Sequence, residues 1–422
     1  RAEGVKYIFG NPGTTESPLT DALEAYPDIQ YLTALQEATA IGMADGYARY
    51  TGRPAFVNVH ISVGLANALS LLYCAHRGGT PMVVTAGQVS TRLLNHEATL
   101  SSDQKELARL YTKWSAEPLH ASELPALVRR AFKVAMTPPT GPVFLSLPWD
   151  VMDVEAEVEI APSQAPNYRV RPDVRAVEEA VKLLARAERP LMLIGDRIAQ
   201  SGAMDETVAM AELLGAPVNA LSYSEVNFPT SHPLYQGALN TSWGTPRLRK
   251  MLQDSDAVLV VGGDLVRQLA ATPEPLVPPG CRIVHVDSSA WEIEKSFPVA
   301  AGVWADIKES LVELTSALSE GLSPGQKRAA AARTDAMRQA KAQQKAAFQQ
   351  RAREALKQTP IGVEGLMATL AELLPKDAIV TDEAPTSSGA MMRAIPFDKP
   401  GDFFSSRGGG LGWGMPGPVG VK

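Results

Sequence analysis

The sequence predicts an α/β protein made of doubly wound parallel-sheet domains in series. Short apolar runs alternate along the 422 residues with longer segments of helical periodicity. Most of these runs are apolar at nearly every position, which is typical of parallel strands covered by helices on both faces. The length of the chain suits two or three domains of ordinary size.

The first domain is predicted over residues 1–155. A tight turn, GNPG at 10–13, follows its first strand, and the polar, proline-containing segment 157–172 after the domain is interpreted as a linker. The alternation of patterns gives strands at 5–9, 29–34, 55–60, 81–87 and 143–149, and helices at 15–23, 36–50, 64–78 and 124–137.

A second α/β domain is predicted over residues 173–322 by the same alternation. Its predicted elements are strands at 190–196, 216–221, 257–264 and 281–287, and a helix at 307–319. The following stretch, 325–358, is rich in Ala, Gln and Lys and has only weak apolar periodicity. This composition predicts a long surface helix that bridges domains.

A third α/β pattern occupies residues 359–422. It consists of a predicted helix at 363–374, strands at 378–382 and 402–406, and a glycine-rich stretch at 407–420. The pattern stops directly after this stretch, where a helix is expected to begin. We therefore interpret 359–422 as the beginning of a truncated third domain.

Composition and charge argue against several classes of function. The net charge is −6 and no basic run or basic–aromatic patch is present, so nucleic acid is not expected as a partner. No apolar run approaches the ~20 residues that span a bilayer and no signal peptide is visible, so we predict a cytoplasmic protein without membrane contacts. Cys74 and Cys281 lie in apolar surroundings without a CxxC spacing, which predicts neither a disulfide framework nor a zinc site.

Polar residues follow three successive predicted strands of the first domain. Thr14, Glu37 and His60 each come just after a strand. Because parallel strands end at the same edge of a sheet, and ligands bind at that edge in open α/β sheets, these residues form a candidate site. A weaker signal, TAGQ at 85–88, lies at another strand end.

Each of these residues also has a purely structural interpretation. In GNPGTTE, Thr14 or Thr15 can cap a helix that has Glu16 in its first turn. Glu37 can interact with the helix dipole at the start of an apolar helix whose face contains Leu35, Ala38, Ile41 and Ala44. A single histidine is more often structural than catalytic. The alternative for Glu37 is a buried acid, which requires a partner because burying an isolated charge is costly.

Several motifs, in order, resemble one enzyme family. They are FGNPGTTE, LQEATAIGMADGYAR, AFVNVHISVGLANAL, PMVVTAGQ, HVDSSAWEIEKSFPV and GGGLGWGMPGPVG. The chain resembles the thiamine diphosphate-dependent enzymes, and within them the branch of benzoylformate decarboxylase and acetolactate synthase. The resemblance implies a pyrimidine-binding domain, a central domain and the start of a diphosphate-binding domain.

The resemblance also implies roles for individual residues. Glu37 is expected to face N1′ of the cofactor's aminopyrimidine ring, where it favours the imino tautomer that activates the cofactor. Thr14 is expected to meet the substrate carboxylate, and His60 to transfer protons. The carbonyl group of Gly409 is expected to receive the 4′-amino hydrogen, while Leu411 holds the cofactor bent.

The diphosphate end of the implied site is less complete. In the turn DEAPTSS, at 382–388, Thr386 is the expected diphosphate contact. The family holds Mg²⁺ and diphosphate with a Gly-Asp-Gly motif followed by Asn, and no Gly-Asp-Gly occurs in this sequence. We expect no metal ligands within the chain, and the Mg²⁺ site beyond Lys422.

The implied function is decarboxylation or carboligation of a small 2-oxo acid, with the identity of that acid left open. The paired His-His motif of pyruvate decarboxylase is absent, and Leu269 stands where benzoylformate decarboxylase has a second active-site histidine. The alternatives are an acetolactate synthase-like transferase with FAD and a non-catalytic protein on the same fold.

The family also implies a homodimer or homotetramer. The small residues Ala38, Gly42, Ala66 and Ala68 of the helices 36–50 and 64–78 would allow close helix packing at a subunit interface. The alternative is that these residues serve ordinary packing within one domain.

Overall fold

The computed structural model describes residues 1–164, 169–239, 246–266 and 269–422. It contains two six-stranded sheets and one two-stranded sheet, and all pairings between their strands are parallel. The predicted fold class, doubly wound parallel-sheet domains in series, is confirmed. The chain divides into two compact units: the first unit contains the N-terminal sheet together with Ser406–Lys422, and the second unit contains the other two sheets and ends at Ser405.

The sheet of the first unit has the strand order β2-β1-β3-β4-β6-β5. Its strands are β1 (Tyr7–Asn11), β2 (Gln30–Thr33), β3 (Ala55–Val59), β4 (Met82–Gln88), β5 (Ser115–Ala116) and β6 (Pro142–Pro148). Every residue of β4 and β6 is buried, as their continuous apolar patterns predict. The five predicted strands are all present. The strand β5 was not predicted, because it has only two residues and no apolar run.

Helices of the first unit connect these strands. They are α1 (Ser17–Ala22), α2 (Glu37–Thr51), α3 (Ile61–Gly78), α4 (Gln104–Arg109), α5 (Leu124–Met136) and α6 (Trp149–Met152). The Gln36 side chain accepts a hydrogen bond from the Thr39 N–H and so caps α2. Leu35 therefore precedes the helix, and its predicted place on the buried face is wrong: it is 97% exposed, while Ile41 and Ala44 are fully buried.

The larger sheet of the second unit has the order β12-β11-β10-β7-β8-β9. Its strands are β7 (Pro190–Ile194), β8 (Val218–Ala220), β9 (Tyr235–Ala238), β10 (Ala257–Val261), β11 (Ile283–Asp287) and β12 (Ala301–Trp304). The four predicted strands are the inner ones, which are entirely buried. Prediction missed β9 and β12, because edge strands are partly exposed and lack a continuous apolar run.

Most of the helices pack in the second unit. They are α7 (Val174–Leu184), α8 (Arg197–Ser201), α9 (Met204–Leu214), α10 (Pro246–Asp254), α11 (Ile307–Gly321), α12 (Pro324–Ala355), α13 (Val363–Leu373) and α14 (Ser388–Ala394). The predicted long helix is confirmed as α12, which has 32 residues. It begins with a capping box between Ser323 and Gln326 and buries Phe348 and Ala352.

The C-terminal residues of the chain contribute to both units. The short strands β13 (Val380–Asp382) and β14 (Phe403–Ser405) pair in the second unit, and α15 (Pro416–Val421) packs on α2 in the first. A Cβ on Gly42 would lie 2.6 Å from Pro416, so this glycine is covered within the unit and not open to a subunit interface. The predicted domains 1–155, 173–322 and 359–422 remain a prediction.

Candidate active site

Glu37 is a buried acid with two amide partners at the carboxyl edge of the first sheet. It is the first residue of α2 and is 6% exposed. Its Oε1 accepts a hydrogen bond from Asn11 Nδ2 at 3.1 Å, and its Oε2 accepts one from Asn67 Nδ2 at 3.0 Å. Both interpretations of this residue therefore hold in part, because the carboxylate lies in the first turn of a helix and is also buried with partners.

Sequence reasoning missed the two asparagines. Asn11 is the last residue of β1, and Asn67 lies in the second turn of α3. Each had a signal that could have been used. Asn11 belongs to the GNPG turn, and Asn67 is a polar residue three positions after Gly64 in an otherwise small and apolar helix. Their amide groups fix the orientation of the Glu37 carboxylate.

Gly64 brings Glu37 and His60 to the same turn of α3. A Cβ built on Gly64 would lie 3.0 Å from Glu37 Oε1 and 3.4 Å from the Cβ of His60. A side chain at this position would press on the carboxylate, so the glycine leaves space beside it. The structure thus places two of the three predicted catalytic residues around one glycine.

His60 directly precedes α3, and its side chain contacts a buried carboxylate. Its Nδ1 lies 2.9 Å from Glu16 Oε2, and its side chain is 23% exposed. A Cβ on Gly13 would lie 2.1 Å from Nδ1, so the glycine of the GNPG turn makes room for the imidazole ring. Among the described residues, Nε2 of His60 has no hydrogen-bond partner. The ring is therefore held through one nitrogen and can exchange a proton through the other.

Glu16 is the third residue of the candidate site that sequence reasoning missed. Only its place in a first helical turn was predicted, but its side chain is 1% exposed and accepts several hydrogen bonds. The donors are Gly13 N–H (2.8 Å), Thr15 Oγ1 (2.7 Å), Ile61 N–H (3.0 Å) and Gly87 N–H (2.7 Å). Gly87 belongs to the TAGQ motif, which therefore contributes a backbone donor.

The predicted capping role of Thr14 or Thr15 is wrong. Gly13 precedes the 3₁₀ turn Thr14–Glu16, and its N–H donates to the Glu16 carboxylate. Thr15 Oγ1 donates to Glu16 and lies 3.4 Å from His60 Nδ1. Thr14 is exposed in the same turn, and its contact with a substrate carboxylate remains a prediction.

Gly409 and Leu411 belong to a loop on a different part of α3. Cβ atoms built on Gly408 and Gly410 would lie 3.0 Å from Cys74 Cα and 2.5 Å from Cys74 Sγ. Gly409 has φ +84° with open space around it, and Leu411 is 83% exposed. Seven residues of α3, or about 10 Å of helix, separate Cys74 from Asn67, the partner of Glu37. The Cβ on Gly410 would also lie 3.6 Å from the carbonyl oxygen of Ser70, three residues beyond Asn67.

A buried polar cluster on α2 fixes this loop in place. Trp413 Nε1 donates to Asp45 Oδ2 at 2.7 Å, and Arg49 Nη1 donates to the same oxygen at 3.2 Å. The Arg49 guanidinium also lies over the Trp413 ring, 5.1 Å from its centroid. Arg407 donates to the carbonyl of Gly78 at 2.7 Å.

Thr386 lies in the second unit, in the turn between β13 and α14. It is exposed, and the turn is organised by Asp382, whose carboxylate accepts hydrogen bonds from Ala384 N–H and Ser388 Oγ. A contact between Thr386 and diphosphate remains a prediction. Leu269, which aligns with the second histidine of benzoylformate decarboxylase, is exposed in this structure.

No metal centre is formed by the described part of the chain, since it contains no group of three or more His, Cys, Asp and Glu side chains that could hold an ion. Nor does any helix in the described ranges have both the length and the apolar character to cross a membrane. Cys74 is buried and Cys281 is half-buried, and the two do not form a disulfide with each other.

Two family models match the chain, one over the region of β1 to β4 in the first sheet and one over the large sheet of the second unit. The model of the thiamine pyrophosphate enzyme N-terminal TPP binding domain matches residues 1–107, and the model of the central domain of the same enzymes matches residues 177–314. The first match includes Glu16, Glu37 and His60. Thiamine pyrophosphate and thiamine diphosphate are two names for one cofactor.

Whole-chain comparisons give the same family. Benzoylformate decarboxylase of Pseudomonas aeruginosa is 30% identical over 427 residues, which cover 100% of this chain and 76% of that protein. The acetolactate synthase large subunit of Haemophilus influenzae is 26% identical over 438 residues, 100% of this chain and 73% of that protein. The crystal structure of benzoylformate decarboxylase from Polynucleobacter necessarius matches with a TM-score of 0.83 at 29% identity, over 99% of this chain and 74% of that one. The chain belongs to the thiamine diphosphate-dependent enzymes.

Proposed function

We propose that this protein decarboxylates a 2-oxo acid, as benzoylformate decarboxylase does, with carboligation as a second outcome of the same site. The observation that carries the proposal is the buried Glu37 carboxylate, oriented by Asn11 and Asn67 and flanked by His60. When bound, thiamine diphosphate supplies a nucleophilic carbon and accepts the electrons released as carbon dioxide leaves.

The residues around Glu37 fit the aminopyrimidine end of this cofactor. A carboxylate in a buried site interacts strongly with a ring nitrogen, because little water competes for it. Gly64 leaves space beside Oε1 that a Cβ would fill. Glu37 would therefore bind and hold a proton at a ring nitrogen, while Asn11 and Asn67 keep its carboxylate in a fixed plane.

His60 and Thr14 would act on the substrate side. His60 holds its Nδ1 against Glu16 and can give or take a proton at Nε2. Thr14 is exposed in the turn next to His60, where its hydroxyl can donate a hydrogen bond to a carboxylate. Leu411 and Gly409 would contact the cofactor, and Thr386 its diphosphate. Mg²⁺ would accompany the diphosphate. The cytoplasmic location is proposed from the sequence alone.

We propose a homodimer or homotetramer, as the resemblance to the family implies. The glycine-rich loop packs on α3 through Gly408 and Gly410, beside Cys74, whereas Glu37 is bonded to Asn67, seven residues earlier in that helix. Glu37 of one copy together with Gly409 of a second copy would complete the site. The exposed Leu411 belongs to the same glycine-rich loop.

The acetolactate synthase-like alternative would use a flavin, and the strand ends of the second unit do not favour one. A Cβ on Gly195 would lie 2.4 Å from both Gly262 O and Gly263 Cα, so backbone fills the space next to this turn. Arg197, which follows β7, donates to Asp264 and Asp287. Its charge is therefore already neutralised by the protein. These contacts support a decarboxylase without bound flavin.

An assay of the full-length protein tests the proposal. Purified protein is given thiamine diphosphate and Mg²⁺, binding of the cofactor is followed by tryptophan fluorescence, and carbon dioxide release is measured with benzoylformate, 4-hydroxybenzoylformate and pyruvate. We expect turnover with at least one of these acids and a colourless protein. Bound cofactor without release of carbon dioxide from any of them would overturn the decarboxylase proposal, and a yellow protein with bound flavin would favour the alternative.

A further inference from the structure

We propose that Glu16 is a positioning residue that fixes the tautomer of His60 and holds the strained turn from which His60 projects. This inference rests on the proposed proton-transfer role of His60. It concerns a residue that has no hydrogen bond to Glu37 and that acts through His60 and the backbone turn next to it.

Glu16 joins the ends of three neighbouring strands. Its Oε1 accepts hydrogen bonds from Ile61 N–H, after β3, and from Gly87 N–H, within β4. Its Oε2 accepts from Gly13 N–H, after β1, and contacts His60 Nδ1. Each oxygen of the Glu16 side chain thus already accepts at least one backbone N–H, so the arrangement suits a carboxylate that accepts hydrogen bonds from its neighbours.

The bonding pattern determines which nitrogen of His60 carries the proton. Since the carboxylate can only accept, Nδ1 must donate, and a neutral imidazole then has its lone pair on Nε2. Nε2 is the nitrogen without a partner among the described residues, so it can accept a proton from a substrate or product. The tautomer needed for that transfer is therefore fixed before any ligand binds.

The turn after His60 is strained and Glu16 holds it. Ile61 has φ +38°, a region that β-branched residues almost never adopt. Such a conformation persists only where the surroundings enforce it, and it occurs mostly at functional sites. The Ile61 N–H donates to Glu16 Oε1 at 3.0 Å, so one carboxylate holds both the strained backbone and the ring beside it.

Glu16→Gln separates these two functions. The carboxamide oxygen is drawn to the side of Ile61 and Gly87, where two backbone N–H groups need an acceptor. The NH₂ group then faces His60 Nδ1, to which it donates, while the Gly13 N–H loses its acceptor. We expect the tautomer to invert, so that Nε2 carries the proton. Nε2 can then no longer accept a proton from a ligand.

Two measurements test the inference on the full-length protein. Histidine-selective ¹⁵N NMR reports the tautomer without any substrate; only six histidines are present, and His60→Gln assigns the signal. We expect a protonated Nδ1 in the unchanged protein and a protonated Nε2 in Glu16→Gln. With the 2-oxo acid that is turned over, we expect kcat to fall by ~10²–10⁴, as for a misplaced catalytic tautomer, with little change in KM.

Ile61→Gly provides the control for a purely structural role. Glycine adopts positive φ without strain, so the double variant Glu16→Gln/Ile61→Gly relaxes the turn and leaves the inverted tautomer in place. We expect its thermal stability to recover and its kcat to stay low. Recovery of kcat in the double variant, or an unchanged tautomer in Glu16→Gln, would overturn the inference. The NMR result stands even if no 2-oxo acid is turned over, so failure of the proposed function is distinguishable.

Discussion

The two large sheets have the same architecture, but the polar residues at their strand ends are used differently. In the first unit, Glu16 and Glu37 are fixed by amides and backbone N–H groups, and they leave His60 Nε2 open to a ligand. In the second unit, Arg197 follows one strand and donates to Asp264 and Asp287, which follow or end two others. Burial disfavours its charge, yet the two carboxylates raise the pKa of Arg197.

This difference shows how a site can be told from a structural cluster on one architecture. In the second unit the charges cancel among themselves, so the cluster stabilises the strand ends and offers little to a ligand. In the first unit neutral donors fix the acids, and their charge remains to act on a bound molecule. The comparison predicts that equivalent substitutions in the two units have opposite consequences.

The largest expected effect is that of Glu37→Gln on turnover. Shape is retained, and the amides of Asn11 and Asn67 can rotate to present an oxygen to the new NH₂ group, so folding should survive. The proton-holding role is lost, so we expect kcat to fall by ~10²–10⁴. Initial rates and urea unfolding measure both effects. Turnover near that of the unchanged enzyme would contradict the proton-holding role and leave Glu37 with only its structural role at the start of α2.

The counterpart in the second unit is Asp287→Asn. Asp287 is fully buried, and its Oδ2 accepts from Arg197 Nε at 3.1 Å and from Nη2 at 2.8 Å. Removing its charge leaves the guanidinium with Asp264 alone, so we expect a loss of roughly 2–3 kcal/mol in the free energy of unfolding. The kcat per folded enzyme should be unchanged. A large fall in kcat at unchanged stability would break the distinction between the two units.

A third pair of substitutions tests the close packing of α15 on α2. A Cβ on Gly46 would lie 2.1 Å from the carbonyl oxygen of Gly417, so Gly46→Ala must displace backbone, at a cost of ~1–3 kcal/mol. Gly321→Ala, in the second unit, is the matched control because nothing lies within 4 Å of its added Cβ. We expect faster proteolysis near residues 406–422 in the first variant only. Equal stability of both variants would contradict this packing.

Sequence patterns predicted the fold well because both sheets are parallel and buried. Inner strands such as β4 and β10 are apolar at every position, whatever helix covers them. The short β5 and the edge strands β9 and β12 bury too little to carry that signal. Leu35 was misplaced because helical periodicity does not show that Gln36 caps the helix.

For the candidate site, sequence reasoning identified residue types at strand ends but not their partners. Glu37 and His60 could be found because each follows a strand. Glu16 was interpreted as an ordinary first-turn acid, since its donors come from Ile61 and Gly87, 45 and 71 residues away. Long-range backbone hydrogen bonds of this kind leave no local pattern. The same holds for the packing of the glycine-rich loop on α3 beside Cys74.

The smallest expected effect is a pH dependence that both units share. Lys113 in the first unit donates to the carbonyls of Val134 and Thr137, and Lys341 in the second to those of Thr230, His232 and Tyr235. Burial lowers the pKa of each amine from 10.5 to about 8. Between these values the unfolded chain binds more protons than the folded protein, so the free energy of unfolding rises with pH from about 8 towards 10.5.

Both amines are partly open to solvent, which screens the penalty, so we expect the rise to be only about 1 kcal/mol per lysine. Chemical unfolding between pH 7 and pH 10 measures it. Lys113→Met and Lys341→Met remove one titrating amine each and keep the length of the side chain, so each variant should lose about half of the rise. Because the lysines lie in different units, their contributions should add. If one substitution removed the whole rise, the contributions of the two lysines to the free energy of unfolding would be coupled and the two units would not titrate independently.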